Sequence, residues 1–149
     1  MEDPYDLERF IHAQAPVYQQ ICAELQQGQK RSHWMWFVFP QIAGLGHSAM
    51  AQKYALRSLE EAVAYLQHPI LGARLVECTE LVQAVNGRSI EQIFGLPDNL
   101  KFHSSMTLFS KASPNTQIFS SVIQKYFHGQ IDAATLKILV NQAIPDHRS

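Results

Sequence analysis

Several features that would assign this sequence to a particular class of protein are missing. It has only two cysteines, Cys22 and Cys78, which lie in separate apolar helical patterns and form no CxxC motif. We interpret them as buried thiols rather than as a disulfide or a metal-ligand pair. No stretch approaches the ~20 apolar residues of a membrane-spanning helix, and no N-terminal run resembles a signal peptide. These absences predict a cytoplasmic protein that does not enter a membrane.

Excess charge is also missing, since the formal net charge is −1 over 149 residues. A nucleic-acid-binding role is therefore disfavoured, and any anionic partner needs a local basic patch. No pair among the seven histidines has helical ligand spacing with a third candidate nearby, so no metal is predicted. Walker, GxGxxG, GxSxG and HExxH motifs are absent, and we predict no cofactor.

The most distinctive stretch that is present spans residues 30–54, with the sequence KRSHWMWFVFPQIAGLGHSAMAQKY. It contains both tryptophans, and positions 34–39 have no alternating polar side chains. Such a run is expected to be buried nearly all round, as a short strand or an extended core segment. Pro40, Gly44 and Gly46 argue against a regular helix in the second half.

Helical periodicity dominates the rest of the chain. Its clearest case combines apolar residues spaced by three and four with a stop at Asn86-Gly87; these residues are Leu71, Leu75, Cys78, Val82 and Val85. Caps are predicted at Ser48, Ser58, Asp98 and Asp132. The pattern indicates one all-α domain over residues 1–149, with about seven or eight short helices around the aromatic segment.

The turn at Gly44 to Ser48 is the first candidate ligand site. Gly44 and Gly46 let a ligand approach the backbone closely, and a helix start after Ser48 offers free amides to an anion. The alternative is a tight turn that serves packing alone. His47 could transfer a proton near neutral pH or simply pack at the turn.

Other candidates could form a donor-rich rim for a phosphate if they converge in space. Lys53 and Lys101 supply charge, and His33 and Ser104 supply polar hydrogens. Trp34 could stack on a base. Taken singly, these residues are explained as solvated surface groups or, for the indole, as part of the core.

Three runs resemble the bacterial family called domain of unknown function 1810: SHWMWFVFPQIAG at 32–44, SAMA at 48–51 and SSMTLF at 104–109, together with His68-Pro69. The resemblance covers almost the whole chain. It implies a mainly α-helical, compact fold and implies no established activity. Some members carry the label calpastatin, which would mean a calpain inhibitor, but nothing in this sequence supports that activity.

A partial resemblance to NADAR, a family linked to NAD and ADP-ribose metabolism, involves His47 followed by Ala51-Gln52-Lys53-Tyr54. NADAR has a glutamate where this chain has Gly46, which puts glycosidase chemistry in doubt while leaving room for an anionic nucleotide.

Two functions follow. The first is binding, with or without hydrolysis, of a phosphorylated nucleotide or ADP-ribose-like ligand. The second is a non-catalytic module that interacts with a protein partner.

Overall fold

Ten α-helices make up residues 2–144, the part of the chain that the computed structural model describes. They are α1 (Glu8–Gln14), α2 (Tyr18–Gln26), α3 (Met35–Val38), α4 (Ala49–Tyr54), α5 (Leu59–Gln67), α6 (Leu71–Gln83), α7 (Ile90–Phe94), α8 (Asp98–Ala112), α9 (Gln117–Phe127) and α10 (Ala133–Ala143). The all-α prediction is confirmed. The count exceeds seven or eight because the residues before the aromatic segment form two helices, α1 and α2, and the segment itself adds α3.

The loop after α3 forms no strand within the described residues. A single parallel bridge joins Ile42 to Leu56, because the Ala43 amide donates to the Leu56 carbonyl at 2.7 Å and the Leu56 amide to the Gln41 carbonyl at 2.9 Å. The predicted absence of a helix from Pro40 to Gly46 is confirmed. The bridge ties this loop to the connection between α4 and α5.

Local capping chemistry sets three helix starts as predicted. The Ser48, Ser58 and Asp132 side chains accept from the amides three residues ahead, at 3.1, 3.1 and 3.0 Å, which satisfies donors that a helix leaves free. Asp98 is not a cap; it is the first residue of α8, and its carboxylate pairs with two lysines described below.

The aromatic segment lies in the core, as expected, with one exception. Trp34 and Phe39 are each 1% exposed, and the Phe39 ring packs edge-on against Phe94 and Phe102, with centroids 5.8 and 5.0 Å away. Trp36 is only half-buried. Trp36 lies in α3, whereas Trp34 is the non-helical residue before that helix, so the alternation of an extended strand does not hold and the two indoles lie in different environments.

Around this segment, α8 packs against α5, α7, α9 and α10. Helices α5 and α6 approach closely at Gly72, where a Cβ atom would lie 2.0 Å from the Leu66 carbonyl oxygen. One hydrophobic cluster includes residues from Leu7 to Leu139. The Ile144-Pro145 pair predicts that the last helix ends there and that residues 146–149 form a loose tail, but these four residues lie outside the described part of the chain. Within the described part, no helix combines the length and hydropathy needed to cross a membrane.

Candidate functional site

Trp34 is held in the core by a buried carboxylate on α2. The Glu24 side chain, 1% exposed, accepts from the Trp34 Nε1 at 2.9 Å, from the Arg31 amide at 2.7 Å and from the Ser32 amide at 3.1 Å. Ser32 Oγ and Gln20 Nε2 also donate to it, at 2.5 and 2.9 Å.

Burial alone would raise the pKa of Glu24, but these hydrogen bonds outweigh it and lower the pKa to about 2. The carboxylate is therefore ionised at neutral pH and organises the entry to the aromatic segment. Trp34 has no exposed face for a ligand, and His33, between these contacts, is exposed to solvent.

Two lysines that are distant in sequence meet at one carboxylate. Lys30 Nζ lies 2.9 Å from Asp98 Oδ2 and Lys101 Nζ lies 3.6 Å from Asp98 Oδ1. Each ammonium also lies 5.3 Å from an indole centroid, Lys30 over Trp34 and Lys101 over Trp36. Lys101 thus has an anionic and an aromatic partner already, which lowers its availability to a ligand.

Gly46 and Lys101 line one small cavity beside Trp36. Its volume is about 10 Å³, room for roughly one water molecule. The Trp36 Nε1 atom is buried without a partner among the described residues, so a water molecule could satisfy it here. The cavity is too small for a nucleotide.

The turn at Gly44 to Ser48 is exposed and largely self-satisfied. Ser48 Oγ accepts a hydrogen bond from the Ala51 amide, and Gln52 Nε2 donates to the His47 carbonyl at 3.0 Å. A Cβ at Gly46 would lie 2.5 Å from that of Ala51, so the glycine permits the turn to pack on α4. That helix has only six residues and a correspondingly small dipole.

Ser104 is engaged inside the fold. It is 6% exposed, and its hydroxyl donates to the Leu100 carbonyl at 3.1 Å and lies 3.3 Å from Asp132 Oδ2. Asp132 in turn caps α10. Ser104 therefore joins α8 to the start of α10.

Lys53 lies at a different and larger depression, which we call the basic cleft. It has a volume of about 470 Å³ between the N-terminal segment and the α4–α5 connection. Its lining consists of Pro4, Tyr5, Asp6, Arg9, Gln52, Lys53, Ala55, Arg57, Ser58 and Glu61. A volume of this size suits a small molecule.

Arg9 holds the walls of the basic cleft together. Its guanidinium donates to the carbonyls of Tyr5 and Asp6 on one side, at 2.5 and 2.7 Å, and to those of Lys53 and Ala55 on the other, at 2.9 and 3.1 Å. Its Nη2 also lies 3.1 Å from Glu61 Oε2. Arg9 is committed to the fold, and it fixes the positions of its neighbours.

The two other cations of the basic cleft are uncommitted. Among residues 2–144, the Arg57 guanidinium and the Lys53 ammonium have no hydrogen-bond or salt-bridge partner, although Lys53 Nζ lies 5.3 Å from the Tyr54 ring centroid. With Arg9 paired to Glu61, the remaining lining charges are two positive and one negative, at Asp6. The cleft therefore favours an anion.

The structure thus separates the predicted site residues. Gly46 and Lys101 meet at Trp36, Lys53 lies in the basic cleft, and Ser104 lies at α10. Arg9 and Arg57 were not identified from the sequence. A signal existed for Arg57, which directly precedes the Ser58 cap and the next helix.

No group of three or more histidine, cysteine, aspartate or glutamate side chains within the described part of the chain could hold a metal ion.

These features define an all-α protein with a basic surface cleft. A family model described as "Protein of unknown function (DUF1810)" matches residues 4–139, and the chain belongs to that family. It is 57% identical to the conserved hypothetical protein Rv1873 from Mycobacterium tuberculosis, known from a crystal structure at 1.38 Å. The TM-score is 0.92, with 93% of this chain and 99% of the other covered. A comparison with curated proteins finds no match. The NADAR resemblance is not shown by these comparisons and stays a prediction.

Proposed function

We propose that the basic cleft binds the phosphate portion of a small nucleotide-like molecule such as ADP-ribose. The observation that carries this proposal is the pair of uncommitted cations, Lys53 and Arg57, on a cleft of about 470 Å³. An arginine can engage a phosphate bidentately, and a lysine adds a mobile point charge. The proposal keeps the ligand class predicted from the sequence and places its phosphate beside Lys53, away from the glycine turn.

The wall structure supports a preformed site. Because Arg9 bonds to carbonyls on both sides of the cleft, the backbone that carries Lys53 and leads to Arg57 is already fixed before a ligand arrives. A preformed site loses less conformational entropy on binding. The fixed geometry therefore favours specific recognition over loose attraction to anions.

Binding without turnover is the form of the proposal. The Ser58 hydroxyl accepts the Glu61 amide at 3.1 Å. Both Glu61 oxygens are also occupied, by the Arg57 amide at 3.2 Å and by Arg9 at 3.1 Å. A general base or nucleophile must be free to reach a substrate, and these two groups serve the fold instead. Asp6 is then the one carboxylate of the lining without a partner in the described structure.

An apolar surface favours the alternative, a protein-interaction module. Leu96 and Leu100 are 75% and 59% exposed; Leu96 lies in the turn before α8 and Leu100 in the first turn of that helix. Exposed apolar groups that form one patch often mark protein contacts. This alternative becomes the better one if no nucleotide-like ligand binds.

A ligand screen tests the proposal. The full chain is mixed with ADP-ribose, NAD, AMP and GMP at millimolar concentration and followed by thermal shift and titration calorimetry. A ligand at ~100 times its dissociation constant raises the free energy of unfolding by roughly 2.7 kcal/mol. We expect ADP-ribose to stabilise the protein, and added salt to weaken its binding because the contacts are charged and exposed.

Matched variants locate the site. Lys53→Ala and Arg57→Ala should each weaken binding and leave the melting temperature of the free protein nearly unchanged, since neither charge has a partner in the described structure. Lys111→Ala removes an equally exposed lysine from the end of α8 and should change nothing. Binding that survives both cleft substitutions, or no response to any ligand by the folded protein, refutes the proposal.

A further inference from the structure

A second depression, unrelated to the basic cleft, lies between α5, α6 and the α8–α9 connection. Its volume is about 570 Å³, and we call it the acidic groove. The floor is apolar, formed by Val63, Leu66 and Val76. Small residues keep it open, since Ala73 and Ala112 are part of the lining and leave space that a longer side chain would fill.

The charged groups of the acidic groove are all of one sign. Glu77 and Glu80 lie three residues apart on α6, which places them on the same face of the helix. No lysine or arginine is among the described residues that line the groove. Across it, the hydroxyls of Ser113 and Thr116 are 2.6 Å apart and share a hydrogen bond.

A hydrogen bond from α2 orients the Glu77 carboxylate. The Tyr18 hydroxyl on α2 donates to its Oε1 atom, and the Arg74 guanidinium lies 4.8 Å from the Tyr18 ring centroid. Burial, followed by the hydrogen bond to Glu77, raises the pKa of Tyr18, so its hydroxyl remains a donor at neutral pH. Within the described residues, Glu77 Oε2 and the whole Glu80 carboxylate have no partner.

We propose that the acidic groove binds a small organic amine, with its ammonium at Glu77 and Glu80 and its aliphatic body on Val63, Leu66 and Val76. Charge complementarity selects a cation, and the apolar floor selects one with a hydrocarbon portion. A carboxylate already held in place by Tyr18 needs little reordering when the ammonium arrives. A ligand of this class is distinct from the anionic ligand of the basic cleft.

Probe molecules of equal length separate charge from hydrophobicity. Hexylamine, 1-hexanol and hexanoate are titrated into the full chain at constant ionic strength, with the dissociation constant measured by calorimetry. Hexylamine should bind tightest, 1-hexanol more weakly and hexanoate not at all. Equal binding of amine and alcohol, preference for hexanoate, or no binding of hexylamine overturns the proposal.

Two substitutions test the location. Glu80→Gln removes one charge at a side chain without a partner in the described structure, and should weaken hexylamine binding about two- to five-fold, as for exposed ion pairs. Ala73→Leu fills the groove from an exposed helical position and should abolish binding. Glu60→Gln, on the exposed surface of α5 outside the groove, is the control and should have no effect.

A last experiment distinguishes two sources of the ammonium group, a free amine and the lysine side chain of a partner protein. Blocked lysine, acetylated at its amino end and amidated at its carboxyl end, should bind no more tightly than hexylamine. Tighter binding of blocked lysine would overturn the assignment to a free amine. Failure of this proposal leaves the nucleotide proposal untouched, because the two sets of ligands have opposite charge and different clefts.

Discussion

The Glu24 carboxylate gives the most quantitative prediction, because its environment fixes both the sign and the size of a pH effect. Its pKa of about 2 in the folded protein lies below the ordinary value of 4.5. A depressed folded pKa contributes stability that is fully present above the unfolded pKa and is lost as the pH falls toward the folded one. The sensitive window is therefore from about pH 5 to pH 2.

The magnitude follows from the difference between the two pKa values. One pKa unit corresponds to about 1.4 kcal/mol, so Glu24 contributes about 3 kcal/mol at pH 7, of which about 1 kcal/mol remains at pH 3. The hydrogen bonds to the carboxylate, which outweigh the opposing effect of burial, are the source of this contribution.

The substitution Glu24→Gln removes the charge and keeps the shape of the side chain. The glutamine oxygen can occupy the Oε1 position and still accept from Arg31, Ser32 and Trp34. Its NH2 group takes the Oε2 position and can no longer accept from Ser32 Oγ and Gln20 Nε2. We expect the free energy of unfolding of Glu24→Gln to be about 3 kcal/mol lower than that of the wild type at pH 7. The difference between the two proteins should narrow to about 1 kcal/mol at pH 3. All other carboxylates are common to both proteins, so they cancel in this comparison.

Urea unfolding followed by tryptophan fluorescence at pH 7, 5, 4 and 3 measures the gap. Glu80→Gln, an exposed glutamate on α6, should stay within about 0.5 kcal/mol of the wild type throughout. A gap for Glu24→Gln that is the same at pH 7 and pH 3 would show that the ionised carboxylate is not the source of the stability, and the reasoning would fail.

Two packing predictions can be measured in the same urea experiments. Phe39→Ala should destabilise the protein by about 3 to 5 kcal/mol, as for buried aromatic residues, and Trp36→Ala by less, because that side chain is half-buried; equal losses would contradict the difference in burial. Gly72→Ala should cost about 3 kcal/mol through overpacking, since its Cβ would meet the Leu66 carbonyl oxygen, a backbone atom that cannot move independently. An unchanged unfolding midpoint for Gly72→Ala would mean that α5 and α6 can move apart at no cost to accommodate the methyl group, and would contradict the prediction.

The parts of the fold that could be predicted from the sequence are those set by neighbouring residues. Ser48, Ser58 and Asp132 each satisfy an amide only three positions ahead, so the spacing alone indicates the helix start. The short helix α3 was missed because a run that is apolar on every side has no helical period to detect. Trp36 was misplaced for the same reason, since its exposure depends on a helical turn that the pattern could not show.

Contacts between residues that are far apart in the sequence could not be predicted from local patterns. Lys30 and Lys101 meet at Asp98 only because α8 packs near the entry to the aromatic segment. Lys53 and Gly46 lie seven positions apart, yet they line different cavities, because α4 begins between them. Whether charged side chains converge on one site depends on how the helices pack. Local sequence patterns predict the helices but not their packing.

The hydrogen-bond partners of each charged side chain show whether that residue stabilises the fold or is available to a ligand, which the sequence does not show. Arg9, Glu24 and Glu61 have multiple hydrogen bonds inside the fold, so replacing them changes stability and would disturb any site indirectly. Lys53 and Arg57 have no such bonds within residues 2–144, and loss of either charge removes little from the folded state. A binding defect without a stability defect is therefore expected from the second group alone. That separation allows substitutions at the basic cleft to be interpreted as effects on a ligand rather than on the scaffold.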